Sequence, residues 1–229
     1  MSQDLLNKEL REMPSNQSDK PFIVFLILFF VVWSLRATVF TFIDQAIISD
    51  FWLMVYSQLM KVILWILPVC LYIKFIDKAN ILEALKLGNP KGKWRSIFIW
   101  LAAFTIIMLA VASIQKGVLP HAPAAGWLIL LLTNIVSPVA EEILFRGFIL
   151  NKLMARTRFW KANLITSLLF VAIHISYWFY ARELNLGVAY DLGGVMVLSL
   201  ILGYFFKKFD SLIPPILAHS INNMLAGLV

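Results

Sequence analysis

Seven long apolar segments run through this chain of 229 residues, and they restrict its fold more than any other feature. They lie at about 21–43, 52–73, 96–115, 127–150, 161–181, 188–206 and 211–229. A helix needs about 20 mostly apolar residues to cross a bilayer, where backbone polar groups must be satisfied within the helix itself. The sequence therefore predicts an all-α, polytopic transmembrane helix bundle with seven spans, or eight if one segment is split or re-entrant.

The composition supports a membrane protein and excludes several other classes. Hydrophobic residues make up 61% of the chain and charged residues 14%, with a mean hydropathy of +0.82. Soluble domains average about 25% charged residues. Cys70 is the one cysteine in the sequence, so an intramolecular disulfide is impossible. A soluble globular domain, a disordered chain and a secreted disulfide scaffold are therefore excluded.

The basic residues predict the orientation of the bundle. With seven spans, 15 of the 20 Lys and Arg residues fall on the side of the N-terminus, whereas only Lys116 and Arg182 fall on the other side. Cytoplasmic loops of membrane proteins carry such an excess of positive charge. We therefore expect an integral membrane protein with a cytoplasmic N-terminus. The same distribution assigns the net charge of +7 to anionic lipid headgroups and argues against nucleic acid as a partner.

The chain divides into three parts by composition. Residues 1–20 are a polar tail on the cytoplasmic side, and the apolar run after them indicates a retained anchor because no small-residue cleavage site follows it. Residues 21–126 hold the first transmembrane helices, with a short amphipathic helix predicted at 76–90 on the inner membrane surface. Residues 127–229 hold the candidate catalytic core.

The fourth apolar segment contains three ionisable residues, Glu141, Glu142 and Arg146. An ionised side chain at mid-membrane costs about 2.5–3.5 kcal/mol even on lenient insertion scales, so this run must face protein or a hydrated cavity. Glu142 and Arg146 are four residues apart and can form an ion pair on one helix face. Glu141 is rotated about 100° away and faces a different part of the bundle. Pro138 removes a backbone hydrogen bond just upstream.

Two later segments carry the other polar candidates. His174 lies in the fifth segment, one turn after Phe170, and His219 lies in the seventh on the same helix face as Asn223. Asn222 is a poorer alternative to Asn223. At about 1.5 Å of rise per residue, Glu141, His219 and His174 lie about 14, 12 and 16–20 Å from the cytoplasmic ends of their spans. Because these depths are similar, we expect the three groups to converge.

A carboxylate, two imidazoles and a carboxamide suit hydrolysis. Glu141 can take a proton from water with help from His174, and His219 and Asn223 can donate hydrogen bonds to an oxyanion. The alternative is a catalytic zinc ion held by Glu141, His174 and His219. No His-Glu-x-x-His motif is present, and the third histidine, His121, is predicted on the outer side. The residues favour a glutamate mechanism without a metal cofactor and leave zinc open.

Three motifs carry a resemblance to a known family. Glu141-Glu142-x-x-x-Arg146, Phe170-x-x-x-His174 and His219-x-x-x-Asn223 occur in this order on successive late segments. The set resembles the motifs of the CPBP (CAAX protease and bacteriocin-processing, or Abi) family, which includes the type II CAAX prenyl endopeptidases. The resemblance covers about residues 127–229. It implies that Glu141 and His174 activate water, that His219 and Asn223 form the oxyanion site, and that Glu142 and Arg146 support the geometry.

The leading hypothesis is an intramembrane endopeptidase that hydrolyses a peptide or lipidated peptide near the cytoplasmic face of the membrane. The resemblance further implies a bacterial plasma membrane. One alternative is a non-catalytic relative that acts in bacteriocin immunity or regulation. Another is a proton-coupled transporter, since Glu and His chains also relay protons. The transporter hypothesis predicts matching broken helices in both halves of the chain, and the first half has none.

Overall fold

A computed structural model of the chain describes residues 19–90, 92–116, 127–181 and 186–228, and every regular element in these ranges is helical. The α-helices are α1 (Lys20–Thr38), α2 (Thr41–Ala46), α3 (Asp50–Lys61), α4 (Leu67–Phe75), α5 (Ile81–Ala84), α6 (Trp94–Lys116), α7 (Trp127–Glu142), α8 (Asn151–Met154), α9 (Phe159–Ala181), α10 (Leu186–Phe209) and α11 (Ile213–Leu228). A first π segment, Val62–Ile66, joins α3 to α4, and a second, Ile143–Leu150, joins α7 to α8.

The helices occupy all seven predicted apolar segments, and the predicted class, an all-α membrane bundle, is confirmed. Within the described ranges, four helical stretches are both long and apolar enough to cross a membrane: Lys20–Ala46, Asp50–Phe75, Trp94–Val111 and Gly187–Phe209. Phe159–Ile175 is a shorter apolar stretch. The described part of the helix that holds Glu141, Glu142 and Arg146 is not among the four.

The second π segment lies at the centre of the bundle. Every residue from Ala140 to Leu150 is buried. Phe148 packs edge-to-face against Phe25 of α1 and Tyr72 of α4, with ring centroids 4.9 and 5.0 Å apart. Phe145 packs in the same way against Phe170 of α9 at 5.0 Å. Each such aromatic pair contributes about 0.5–1.5 kcal/mol beyond the area that it buries. These rings fix the position of the helix that carries the two glutamates.

A second cluster of buried side chains joins α6, α10 and the start of α11. Its members are Ile97, Leu101, Phe104, Leu202, Phe205, Phe209 and Ala218. Ala218 directly precedes His219, so this cluster holds α11 in place beside the central helix. Gly203 of α10 allows a close approach to α9, because a Cβ atom at this position would lie 1.8 Å from Oδ1 of Asn163.

The segment predicted as an amphipathic helix at 76–90 is mostly not helical. Its only helix is α5, Ile81–Ala84, which begins where Oδ1 of Asn80 accepts hydrogen bonds from the backbone N–H groups of Leu82 and Glu83. Lys86 ends it with a left-handed φ of 54°. The side chain of Leu85 is buried against Gly147, where an added Cβ atom would lie 2.9 Å from Leu85 Cδ2. The prediction was therefore wrong in extent, because the segment packs into the bundle through Leu85.

Several predictions fall on residues that the structure does not describe. They concern most of the polar tail, residues 1–18, the loop with His121 and the position of Arg182. The membrane orientation and the division of the chain at residue 127 stay predictions.

Candidate active site

A cavity of about 260 Å³ lies between α3, α7, α9, α10 and α11. It is lined by Lys61, Thr133, Asn134, Ser137, Glu141, Phe170, His174, Val195, Leu198, His219, Asn222 and Asn223. The four residues predicted to be catalytic, Glu141, His174, His219 and Asn223, thus share one cavity. A larger groove of about 400 Å³ lies near α5 and the end of α10, and its lysines, Lys86 and Lys93, are both already hydrogen-bonded. The candidate catalytic residues therefore all line the smaller cavity.

The Glu141 carboxylate is 7% exposed and uses its two oxygens differently. Oε1 accepts a hydrogen bond from Nζ of Lys61 at 2.7 Å. Oε2 lies 3.7 Å from Nε2 of His219, beyond normal hydrogen-bond distance. One oxygen is therefore held by an ammonium group, while the other faces the imidazole across the cavity.

Glu142 and Arg146 form the ion pair that their spacing predicts, and the pair is completely buried. Nη1 of Arg146 donates to Oε1 of Glu142 at 2.7 Å, while Nη2 donates to both the side-chain and the backbone oxygen of Ser199, at 2.7 and 3.0 Å. The guanidinium also lies over the ring of Phe170, at 4.7 Å from its centroid. A buried ion pair needs such additional hydrogen bonds to offset its desolvation.

His219 is oriented by this ion pair. Its Nδ1 atom lies 2.8 Å from Oε1 of Glu142. Because an ionised carboxylate can only accept, Nδ1 of His219 carries the proton of this hydrogen bond. The other ring nitrogen, Nε2, therefore faces Glu141. Glu142 thus supports His219 as well as Arg146, a link that sequence spacing did not predict.

His174 is oriented by its own helix. Nδ1 lies 2.8 Å from the carbonyl oxygen of Phe170, one turn earlier. A carbonyl oxygen only accepts, so Nδ1 carries the proton and Nε2 of the neutral ring has a free lone pair. The Phe170 ring contacts both imidazoles, with centroids 5.0 Å from His174 and 5.9 Å from His219. Phe170 therefore separates and positions the two histidines.

Both asparagines of α11 line the cavity, although the sequence favoured only Asn223. Nδ2 of Asn222 donates to Oδ1 of Asn223 at 3.2 Å. The oxygen of Asn223 is thus occupied, and its amide nitrogen is the end that can serve a ligand. The structure gives Asn222 the position of a support for Asn223.

Four polar residues of the cavity wall were not identified from the sequence as site residues: Lys61, Thr133, Asn134 and Ser137. Ser137 donates to Gln58 of α3 at 3.0 Å. The Nδ2 atom of Asn134 is buried and has no hydrogen-bond partner among the residues that the structure describes. The charge of Lys61 near the middle of the second apolar segment could have marked it as a candidate site residue. The sequence could not have shown that it contacts Glu141, which lies 80 residues later.

The zinc alternative requires Glu141, His174 and His219 to act as one ligand set. Within the described parts of the chain, no three His, Cys, Asp or Glu side chains stand in an arrangement that could hold a metal ion. The Lys61 ammonium occupies Oε1 of Glu141, and it would repel a divalent cation there. The arrangement of these residues therefore does not fit a zinc ion.

Comparison with known proteins finds a similarity in the C-terminal part of the chain. Residues 123–225 match the family model described as "Type II CAAX prenyl endopeptidase Rce1-like". No curated protein and no solved structure matches the chain. The matched range includes Glu141, His174, His219 and Asn223, whereas Lys61 lies outside it. The resemblance that the three motifs indicate is confirmed for this range.

Proposed function

We propose that the chain is an intramembrane endopeptidase with a glutamate-activated water, because residues 123–225 match the family model described as "Type II CAAX prenyl endopeptidase Rce1-like". The observation that carries the proposal is the shared cavity, in which Glu141, His174, His219 and Asn223 meet from three helices. We place its activity at the cytoplasmic face of a bacterial plasma membrane, on peptide or prenylated peptide tails.

The first step is attack of water on the peptide carbonyl. Glu141 accepts a proton from the water through Oε2, the oxygen that Lys61 does not occupy. Nε2 of His174 holds the water through its free lone pair. A bond forms between the water oxygen and the carbonyl carbon, and the carbonyl electron pair moves to its oxygen. A positioned acid or base of this kind accelerates a reaction by about 10²–10⁴-fold.

The developing oxyanion needs hydrogen-bond donors. The amide nitrogen of Asn223 is a donor in every protonation state, and Asn222 holds it by its oxygen. Nε2 of His219 donates only when the ring carries both protons, because Nδ1–H is committed to Glu142. When the tetrahedral intermediate collapses, the C–N bond breaks and the proton on Glu141 passes to the leaving amine. The carboxylate is thereby restored.

The decisive experiment replaces Glu141 with Gln. Cleavage of a prenylated peptide ending in a CAAX-type sequence is followed in lipid nanodiscs, beside an unprenylated copy. The proposal expects cleavage by the wild type and a loss of at least about 10²-fold in Glu141→Gln at equal amounts of folded protein. Glu83→Gln, which alters an exposed acid of α5, is the matched control and keeps full activity. Unchanged turnover in Glu141→Gln refutes Glu141 as the base, and an absence of cleavage by the folded wild type favours the non-catalytic alternative.

A further inference from the structure

Lys61 is the one cavity-lining residue among those described that comes from the first half of the chain. It ends α3, directly before the first π segment, and its Nζ atom lies 2.7 Å from Oε1 of Glu141. The ring of fully buried Trp65 lies 5.5 Å from the same Nζ atom. Ion pair and ring together hold an ammonium group against the candidate base.

The proposed reaction moves negative charge away from this ammonium group. Before attack, the charge is on the Glu141 carboxylate and is balanced by Lys61. When Glu141 takes the proton from water, the carboxyl becomes neutral and the charge reappears on the carbonyl oxygen of the substrate. Surroundings of low polarity make an unbalanced ammonium group unfavourable and strengthen its attraction to any nearby anion. The ammonium group therefore stabilises the state in which the oxyanion lies within its reach.

We propose that Lys61 is a catalytic residue, the counter-ion whose ammonium group follows the negative charge from Glu141 to the oxyanion. The inference rests on the proposed function and extends the site beyond the Rce1-like domain at residues 123–225. Lys61 takes no part in the proton transfers, so the proton balance of the reaction is unchanged. Its four-carbon side chain is 19% exposed and lines the cavity, and its length lets the ammonium group shift.

The competing interpretation is that Lys61 only holds Glu141 in place. Two substitutions separate these roles. Lys61→Gln keeps a hydrogen-bond donor for Oε1 but removes the charge, whereas Lys61→Arg keeps the charge. For a counter-ion, kcat in Lys61→Gln falls about 10²–10³-fold with little change in KM, and Lys61→Arg retains most of kcat. For a purely structural clamp, kcat per folded molecule is the same in both variants.

A matched control is provided by Lys152. Its Nζ atom lies 2.8 Å from Oδ1 of Asp77 and 4.9 Å from the ring centroid of Tyr72, and its side chain is 18% exposed. Its surroundings thus resemble those of Lys61, but it lies outside the cavity. Lys152→Gln is expected to keep its kcat.

The inference and the proposed function fail in different ways. The assay measures kcat and KM of wild type, Glu141→Gln, Lys61→Gln, Lys61→Arg and Lys152→Gln, each normalised to folded protein. If Glu141→Gln is inactive while Lys61→Gln keeps wild-type kcat, the role of Lys61 is refuted and the enzyme proposal stands. If Glu141→Gln is fully active, the proposed glutamate mechanism fails, and the role of Lys61 that depends on it fails with it. If Lys61→Gln does not fold, Lys61→Met replaces it in the comparison with Lys61→Arg: a kcat at least about 10²-fold lower in Lys61→Met supports the counter-ion, and equal kcat in the two variants overturns it.

Discussion

Oε1 of Glu142 accepts hydrogen bonds from two residues, Nη1 of Arg146 at 2.7 Å and Nδ1 of His219 at 2.8 Å. A single carboxylate oxygen thus joins the central helix to α11. Because Arg146 also donates to Ser199 of α10, three helices meet in one buried hydrogen-bond network. The network contributes to packing and sets the orientation of a candidate catalytic ring at the same time.

The buried network predicts a large loss of stability when its cation is removed. Arg146→Met leaves Glu142 charged and buried without its cationic partner. Breaking one side of a buried ion pair costs about 3–5 kcal/mol. The measurement is the free energy of unfolding in detergent micelles. The control is Arg156→Met, whose ion pair with Asp19 is solvent-exposed and is expected to contribute at most about 1 kcal/mol. Equal losses in the two variants would contradict the assigned role of Arg146.

Replacing His174 is expected to lower activity without unfolding the protein. His174→Phe keeps an aromatic ring against Phe170 but removes both ring nitrogens, so water can no longer be held at Nε2. We expect kcat to fall about 10²–10⁴-fold while the melting temperature stays close to that of the wild type. Kinetics and thermal unfolding of the same preparation check both parts. A kcat within about threefold of the wild type would remove His174 from the mechanism.

Replacing the two asparagines of α11 is expected to lower kcat to different extents. Asn223→Ala removes the amide that faces the oxyanion, and a lost donor of this kind lowers kcat about 10²–10³-fold. Asn222→Ala removes only the support at Oδ1 of Asn223, so its kcat falls much less. Parallel kcat measurements on the two variants test this order. If Asn222→Ala were the more damaging change, the assignment of donor and support would have to be exchanged.

Replacing Gly203 is expected to cause a packing defect between α9 and α10, outside the residues that line the cavity. In Gly203→Ala the new Cβ atom would lie 1.8 Å from Oδ1 of Asn163, a buried side chain that donates to the carbonyl of Leu200. Such overpacking costs about 1–3 kcal/mol. Gly193→Ala, on the same helix with nothing within 4 Å of the added atom, is the control and is not destabilised. Unfolding in detergent distinguishes the two, and equal stability would show that α9 and α10 pack differently.

Treatment with a chelator tests the choice between glutamate and zinc chemistry. Because Lys61 occupies Oε1 of Glu141, we expect cleavage by the wild type to be unaffected by chelators and elemental analysis to find no stoichiometric metal. Inhibition that is reversed by added zinc would instead support Glu141, His174 and His219 as ligands.

Much of the fold could be predicted from hydropathy alone, because segments of about 20 apolar residues form helices in a membrane for a single physical reason. The two π segments could not, since Val62–Ile66 and Ile143–Leu150 have ordinary helical composition and their geometry depends on tertiary packing. Residues 76–90 show the same limit. Their apolar spacing resembles a helix, but the buried contact of Leu85 with Gly147 and the left-handed Lys86 determine the structure.

The sequence predicted which residues meet in the cavity only where their depth along a membrane helix could be estimated. Similar depths of Glu141, His174 and His219 predicted that they would meet, and they line one cavity. Their catalytic roles stay predictions. The contact between Lys61 and Glu141 could not be predicted from the sequence. Helical spacing relates residues within one helix and contains no information on which helices are neighbours. The sharing of Glu142 between Arg146 and His219 was hidden for the same reason.

The burial of every residue from Ala140 to Leu150 has a consequence for topology mapping of related chains. This stretch is surrounded by other helices, so its side chains do not have to be apolar. A span count that rejects any segment with three ionisable residues omits this helix, and each omitted crossing reverses the side of the membrane that is assigned to all residues after it. Reporter fusions placed just before residue 127 and just after residue 154 would therefore show opposite sides where such a count expects the same one.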